Sequence, residues 1–229
     1  MNNNIFPETN LDHIIFDWDG TLVDSVPSII LAHSYVFEKM GLDRWSSEDA
    51  EKFMKFSSRE LYPKIFLEDA DKAFAYLDSY LNRGSMDGVK IFDGAYDILN
   101  SFMKKKIRMS VVSNKKHNFL LKEIEYFKVS NFFNSIIGSS ALEFDKPSAK
   151  FKDYYIDDGL ISNKSDVLVV GDTETDYELA LRCGFKFMPI GDSLWINEYR
   201  LNIVDGNLYY GGFNNIVEFN NYISKFYNE

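Results

Sequence analysis

The stretch Ile14-Ile15-Phe16-Asp17-Trp18-Asp19-Gly20-Thr21-Leu22-Val23-Asp24-Ser25 constrains this chain more tightly than any other. An apolar segment stops abruptly at two aspartates one residue apart, and a Gly-Thr turn comes next. A short apolar run closed by a turn signal reads as a buried strand. Successive side chains on a strand alternate faces, so Asp17 and Asp19 share one side while Trp18 turns away to pack in the core. Two carboxylates crowded at the carboxyl end of a core strand repel each other and lose hydration. Such an arrangement persists only where something offsets that cost, most simply a bound cation. The run therefore marks a metal-dependent site.

Past Ser25 the pattern turns helical. Pro27 suits a first turn, and Ile29, Ile30, Val36, Phe37 and Met40 recur at helical spacing until Gly41 ends the run. Ser46 or Ser47 can cap a second helix, and Ser57 or Ser58 a third that Pro63 is expected to interrupt. A fourth is expected over 68–82, with Phe74, Leu77 and Leu81 on one face. No strand is expected between Ser25 and Val89.

Beyond Gly88, strand and helix alternate. Strands are expected at 109–113, 135–138, 167–172, 185–190 and 201–204, and helices at 95–105, 116–127, 149–157, 174–183 and 216–225. That alternation implies an α/β domain with a parallel sheet covered by helices on both faces. The helical block then reads as an insertion after the first strand: a core of residues 1–25 and 88–229, and a helical cap of 26–87 hinged at 24–27 and 86–89. The Asn-rich residues 1–10 read as a loosely ordered lead-in, without the basic and apolar regions of a secretory signal.

Composition narrows the classes further. The 229 residues are 45% hydrophobic and 16% aromatic, enough for a large buried core. A formal net charge of −10 disfavours non-specific binding to nucleic acid or anionic membrane. Long uninterrupted apolar stretches are absent, so no transmembrane helix is expected. A lone cysteine, Cys183, suits a reducing cytoplasm. A monomer or weak homodimer is expected.

In open parallel sheets the ligand sits beyond the carboxyl ends of the strands. Asp17 and Asp19 end the first strand, Ser113-Asn114 the second, and Gly171-Asp172-Thr173-Glu174-Thr175-Asp176 the fourth; Lys146-Pro147 lies in the loop after the third. Four distant segments thus bring polar side chains to one edge. Together they resemble the four motifs of the haloacid dehalogenase-like superfamily, in the phosphatase branch with a helical cap after the first motif. Asp17-Trp18-Asp19-Gly20-Thr21 is similar to its DxDGT motif, Ser113 to the second, Lys146 to the third, and Asp172 with Asp176 to GDxxxD. The order and cap position agree across nearly the whole chain, most closely with members like phosphoglycolate phosphatase and β-phosphoglucomutase. Ala149 departs from the pattern, where relatives often carry a second proline.

The resemblance implies a Rossmann-like core and a Mg²⁺-dependent phosphomonoester hydrolase acting on a small phosphorylated metabolite, phosphoglycolate being the first guess. Asp17 would attack phosphorus as nucleophile, and Asp19 would protonate the leaving oxygen and then deprotonate water. Asp17, Asp172, Asp176 and the Asp19 carbonyl would hold Mg²⁺. Ser113, Lys146 and backbone N–H groups near Gly20 and Asn114 would bind the phosphoryl group. The Ser57-Ser58-Arg59-Glu60 segment resembles a specificity loop whose arginine receives a distal anionic group of the substrate.

Each residue has an ordinary alternative. Asp17 or Asp19 alone could serve an Asx-turn, Ser113 could cap a helix, and Asp176 could be a first-turn acid. Lys146 and Arg59 could be solvated surface cations. Lys104-Lys105-Lys106 reads as a basic helix end. His13, His33 and His117 lack metal-ligand spacing, and Cys183 reads as a small buried residue. The rival functions are a sugar phosphomutase with the same catalytic residues, a phosphonatase with a cap lysine (Lys52, Lys55 or Lys64), and a non-catalytic phosphate-binding protein. A haloacid dehalogenase fits poorly, since its chemistry does not call for Asp19 or the metal aspartates.

Overall fold

The computed structural model describes residues 11–54, 56–83, 86, 88–191, 196 and 212–226. The expected strand at 201–204, the lead-in 1–10, Lys55 and Asp87 of the second hinge lie outside them.

Strand β1 (Leu11–Phe16) sits at the centre of a five-stranded sheet. Its neighbours are β4 (Arg108–Lys116) and β6 (Asp166–Gly171), with β5 (Ser135–Ser139) and β7 (Lys186–Pro189) outermost. Every pairing in this sheet is parallel. Phe16 lies level with Val111 on one side and Val170 on the other. The residues just beyond each of these three positions therefore emerge at the same edge. The chain runs from β1 to β4 and β5 on one side, then crosses back to β6 and β7. A ligand cleft is expected at such a reversal of strand order.

Alternation along the strands divides the core into two layers. Ile14, Phe16, Met109, Val111, Leu168 and Val170 pack on α5 (Ala95–Lys104), α6 (His117–Tyr126) and α9 (Ile216–Phe226). Ile15, Val112, Ile137, Val167 and Val169 pack on the opposite face, against α7 (Lys150–Asp157) and α8 (Glu174–Cys183). Successive strand residues serve opposite helix layers, which is why the strands read as continuous apolar runs. Trp18 is fully buried in the first layer, and Cys183 is buried in the second. No helix among the described residues is long and apolar enough to cross a membrane.

The helical block comprises α1 (Val26–Lys39), α2 (Ser47–Phe53), α3 (Ser58–Phe66) and α4 (Ala70–Leu81). These pack on a cluster of their own that includes Val36, Trp45, Leu61, Tyr62, Ala73 and Leu77. Ser46 caps α2 through a reciprocal bond with Asp49, and the Ser57 hydroxyl caps α3 by accepting from Glu60 N. One local reading changes, and two short strands join the expected ones. Pro63 does not interrupt α3, because a proline lacks a single donor and the helix continues through Phe66. Where the block leaves and rejoins the core, β2 (Val23–Asp24) pairs antiparallel with β3 (Lys90–Ile91). Strands of two residues carry no periodicity, so the pattern passes over them.

Phe102 of α5 is fully buried between Phe16 and Phe219, at ring distances of 6.3 and 5.9 Å. Phe102→Ala is expected to cost about 3–5 kcal/mol. Urea unfolding would register it as a lower midpoint with an unchanged slope.

Candidate active site

The carboxyl edge gathers its groups because three strands end together. Asp17 comes directly after β1, and its N–H donates to Val170 O of β6 at 2.8 Å. Asp172 comes directly after β6. Lys146 arrives from the loop after β5, and its Nζ lies 2.7 Å from Asp17 Oδ1 and 2.5 Å from Asp176 Oδ1. All three of these side chains are almost wholly buried, at 3%, 7% and 1% exposure for Lys146, Asp17 and Asp176. The surface-lysine alternative for Lys146 is thereby removed. Asp176 does two things at once. Its Oδ2 accepts from Thr173 N at 3.0 Å and Thr173 Oγ1 at 2.7 Å, closing the start of α8, while Oδ1 faces Lys146.

Two glycines give this cluster its room. A Cβ on Gly20 would lie 2.2 Å from Asp172 Oδ2, and one on Gly171 would lie 2.4 Å from Asp176 Cγ. Gly20 also has a φ of +80°, which L side chains rarely adopt. The backbone N–H groups expected to face phosphate are those near Gly20; the N–H of Gly20 itself donates to Val23 O at 2.8 Å, closing the turn after β1. Thr21 Oγ1 steadies Asp172 by donating to Oδ1 at 3.1 Å.

Asp17, Asp172 and Asp176 each offer an oxygen within 4.8 Å of the others. Three hard anionic oxygens at that spacing suit a small divalent cation such as Mg²⁺. The electrostatics agree. Burial, and after it the Asp176 charge, pushes Asp17 up to about 7. Burial and the Asp17 charge push Asp172 upward as well. Burial opposes the charge on Lys146, but Asp17 and Asp176 outweigh it and hold the ammonium above the usual lysine range.

Asp19 stands apart from that cluster. Its Oδ1 accepts from the Ser25 hydroxyl and, at 2.6 Å, from Lys115 Nζ; its Oδ2 accepts from Ser113 Oγ at 3.3 Å. Lys115 also reaches both oxygens of Glu123 at 2.7 Å, and Trp18 Nε1 donates to Glu123 Oε2 at 2.7 Å. Sequence reasoning missed Lys115 and Glu123. The available signal was a lysine directly after Ser113-Asn114 with an acid two turns along the next helix. Asn114 lines the same cleft, with Nδ2 3.4 Å from Lys146 O.

Arg59 is not among the residues lining the cleft. Its Nε lies 3.1 Å from Asp145 Oδ2, Nη2 3.0 Å from Asp145 Oδ1, and Nη1 3.0 Å from Leu142 O. The fork that suits a substrate anion is closed on a carboxylate of the core. His13 bonds Ser110 at 2.8 Å in the core, and His117 Nδ1 accepts from Gly138 N at 3.2 Å. Lys64 pairs with Glu60, and Lys52 lies over the Phe53 ring. Neither lysine lines the cleft.

A parallel sheet whose carboxyl edge gathers carboxylates, a buried ammonium and a hydroxyl beneath a helical block defines an α/β enzyme built to handle an anion. The chain belongs to the haloacid dehalogenase-like hydrolases, whose family profile matches residues 14–190. It is 27% identical over 196 residues to a phosphoglycolate phosphatase of Pseudomonas putida, covering 80% of this chain and 70% of that one. It is 24% identical over 166 residues to the pyrophosphatase PpaX of Listeria monocytogenes, covering 72% and 76%. Its fold is similar to the crystal structure of a predicted phosphatase from Clostridium acetobutylicum. The TM-score is 0.77 at 21% identity, over 95% of this chain and 100% of that one.

The raised pKa of Asp17 has a definite consequence for stability. An acid whose folded value exceeds its unfolded one stabilises the fold while protonated, and that contribution is lost as pH rises from about 4 to about 7. A cation that takes the place of the proton should help most where the proton is absent. In chelator-treated protein, added Mg²⁺ is expected to raise Tm by more near pH 8 than near pH 5, as read by calorimetry. An equal gain at both would mean that Asp17 is not a ligand.

Proposed function

We propose that the protein is a Mg²⁺-dependent phosphomonoester hydrolase acting on a small phosphorylated metabolite through an aspartyl-phosphate on Asp17. The observation that carries this reading is the buried Lys146 ammonium held between Asp17 and Asp176, with Asp172 beside them. Asp17, Asp172, Asp176 and the Asp19 carbonyl would hold Mg²⁺, which when bound neutralises charge on the phosphoryl oxygens. A cytoplasmic setting fits the single buried cysteine.

The chain's own residues divide the work. A carboxylate oxygen of Asp17 attacks phosphorus, and the bond to the leaving oxygen breaks as Asp19 delivers its proton to that oxygen. Water then attacks the same phosphorus, Asp19 takes a proton from it, and Asp17 is released with inorganic phosphate. Lys146 and Ser113 offset the negative charge of the phosphoryl group as the carboxylate approaches it. Asn114, at the cleft wall, would donate to the same oxygens. Arg59 ties the cap to the core through Asp145.

Lys115 acts through Asp19. It fixes the acid from the side, and Glu123 and Trp18 fix Lys115 in turn. Its ammonium stays charged, because Asp19 and Glu123 more than offset its burial.

Asp17→Asn is expected to lower kcat for p-nitrophenyl phosphate by at least about 10³-fold while leaving the fold intact by circular dichroism. Substantial Mg²⁺-dependent turnover in that variant would remove Asp17 as nucleophile. Lys115→Met separates positioning from binding. Alkyl esters need a protonated leaving oxygen and p-nitrophenyl phosphate does not, so kcat/KM should fall roughly 10²-fold for the former and far less for the latter. Equal losses on both would refute a role through Asp19.

A further inference from the structure

The cleft has two walls of opposite character. On the core side lie Asp17, Asp19, Ser113, Lys146 and Asp172. Facing them from the cap are Ile29, Ala32, Met54, Phe56, Leu77 and Leu81, and Phe119 of α6 continues the apolar surface on the core side. The phosphoryl group belongs to the first wall, so the organic part of an ester must lie along the second.

Of the three lysines near that second wall, two are paired with carboxylates, and the third, Lys122 of the core helix α6, meets a neutral amide and a ring. Lys115 is enclosed by Asp19 and Glu123, and Lys116 pairs with Asp78 of α4. Lys122 donates to Asn82 Oδ1 at 3.3 Å and lies 4.8 Å over the Phe119 ring. His33 stacks on Trp45 at 4.1 Å and hydrogen-bonds Tyr62, and burial pushes its pKa down to about 4, so it is neutral near pH 7. Arg59, the cap arginine, is turned to Asp145. Among the described residues lining the cleft, then, the cap offers mainly apolar side chains, with the neutral Ser28, His33 and Ser58 among them and no cation to receive a second anionic group.

Resting on the phosphatase reading above, we propose that this cleft selects phosphomonoesters whose organic part is uncharged and apolar, an alkyl or aryl group. It discriminates against esters carrying a second anion. An apolar group gains by leaving water along Ile29, Leu77 and Leu81. A carboxylate in the same place loses hydration without a partner.

The test compares kcat/KM of the full chain with Mg²⁺ on ethyl, butyl and hexyl phosphate, phosphoglycolate and p-nitrophenyl phosphate. Each added methylene is expected to raise kcat/KM about three- to fourfold until the wall is covered. Phosphoglycolate should fall below butyl phosphate. Leu81→Arg should reverse that order, and Ile29→Lys provides the same reversal from α1 if Leu81→Arg does not fold. Calorimetric titration of the Asp17→Asn variant should show the same ranking in Kd without turnover. Phosphoglycolate processed better than every alkyl ester would overturn the proposal while leaving the phosphatase reading in place. No Mg²⁺-dependent hydrolysis of any ester, p-nitrophenyl phosphate included, would overturn both.

Discussion

The Lys146 ammonium, enclosed between Asp17 and Asp176, is the interaction on which the carboxyl edge depends. Three carboxylates come together there with a single ammonium among them. Fully ionised, that group keeps two uncompensated negative charges in a buried place. Removing one partner of a buried pair costs about 3–5 kcal/mol, mostly through the charge left behind. The cluster is therefore poised to take up positive charge, and it answers the imbalance partly by holding Asp17 and Asp172 less acidic than free carboxyls. The same unsatisfied negative charge suits a small divalent cation.

Much of this edge was legible because its residues are tied to strand ends. An apolar run that stops at Asp17, and another that stops at Gly171-Asp172, announce both the strand and the position of the acid. Parallel pairing then aligns them without further information. Gly20 and Gly171 were readable only as motif letters; their reason is the space that Asp172 and Asp176 occupy. Lys115, Glu123 and Arg59 were not legible in the same way. A charged side chain's partner is chosen by tertiary approach across 80 or more residues of chain, as in Arg59 with Asp145 or Lys115 with Asp19. Sequence gives the donor but not which acceptor it meets. The cap helices were found from caps and periodicity, yet their inner wall, which faces the carboxylates, arises from packing alone.

Asp145 joins the helical block to the loop that carries Lys146. Its carboxylate accepts from Ser57 Oγ and the Arg59 guanidinium in the cap, and from Ser139 Oγ and Ser140 N in the core. Lys146 is the next residue. Were the cap to lift, the bonds to Ser57 and Arg59 would be lost, while those to Ser139 and Ser140 could remain and keep the loop against β5. Arg59 is 38% exposed and Asp145 11%, so solvent reaches the pair chiefly from the Arg59 side and screens it in part. Lys116 with Asp78, the second charged link between core and cap, is similarly open at 27% and 39%. The contacts that hold the cap down are thus weak where they face water. Those that hold Lys146 are buried, so the two sets of contacts differ in strength.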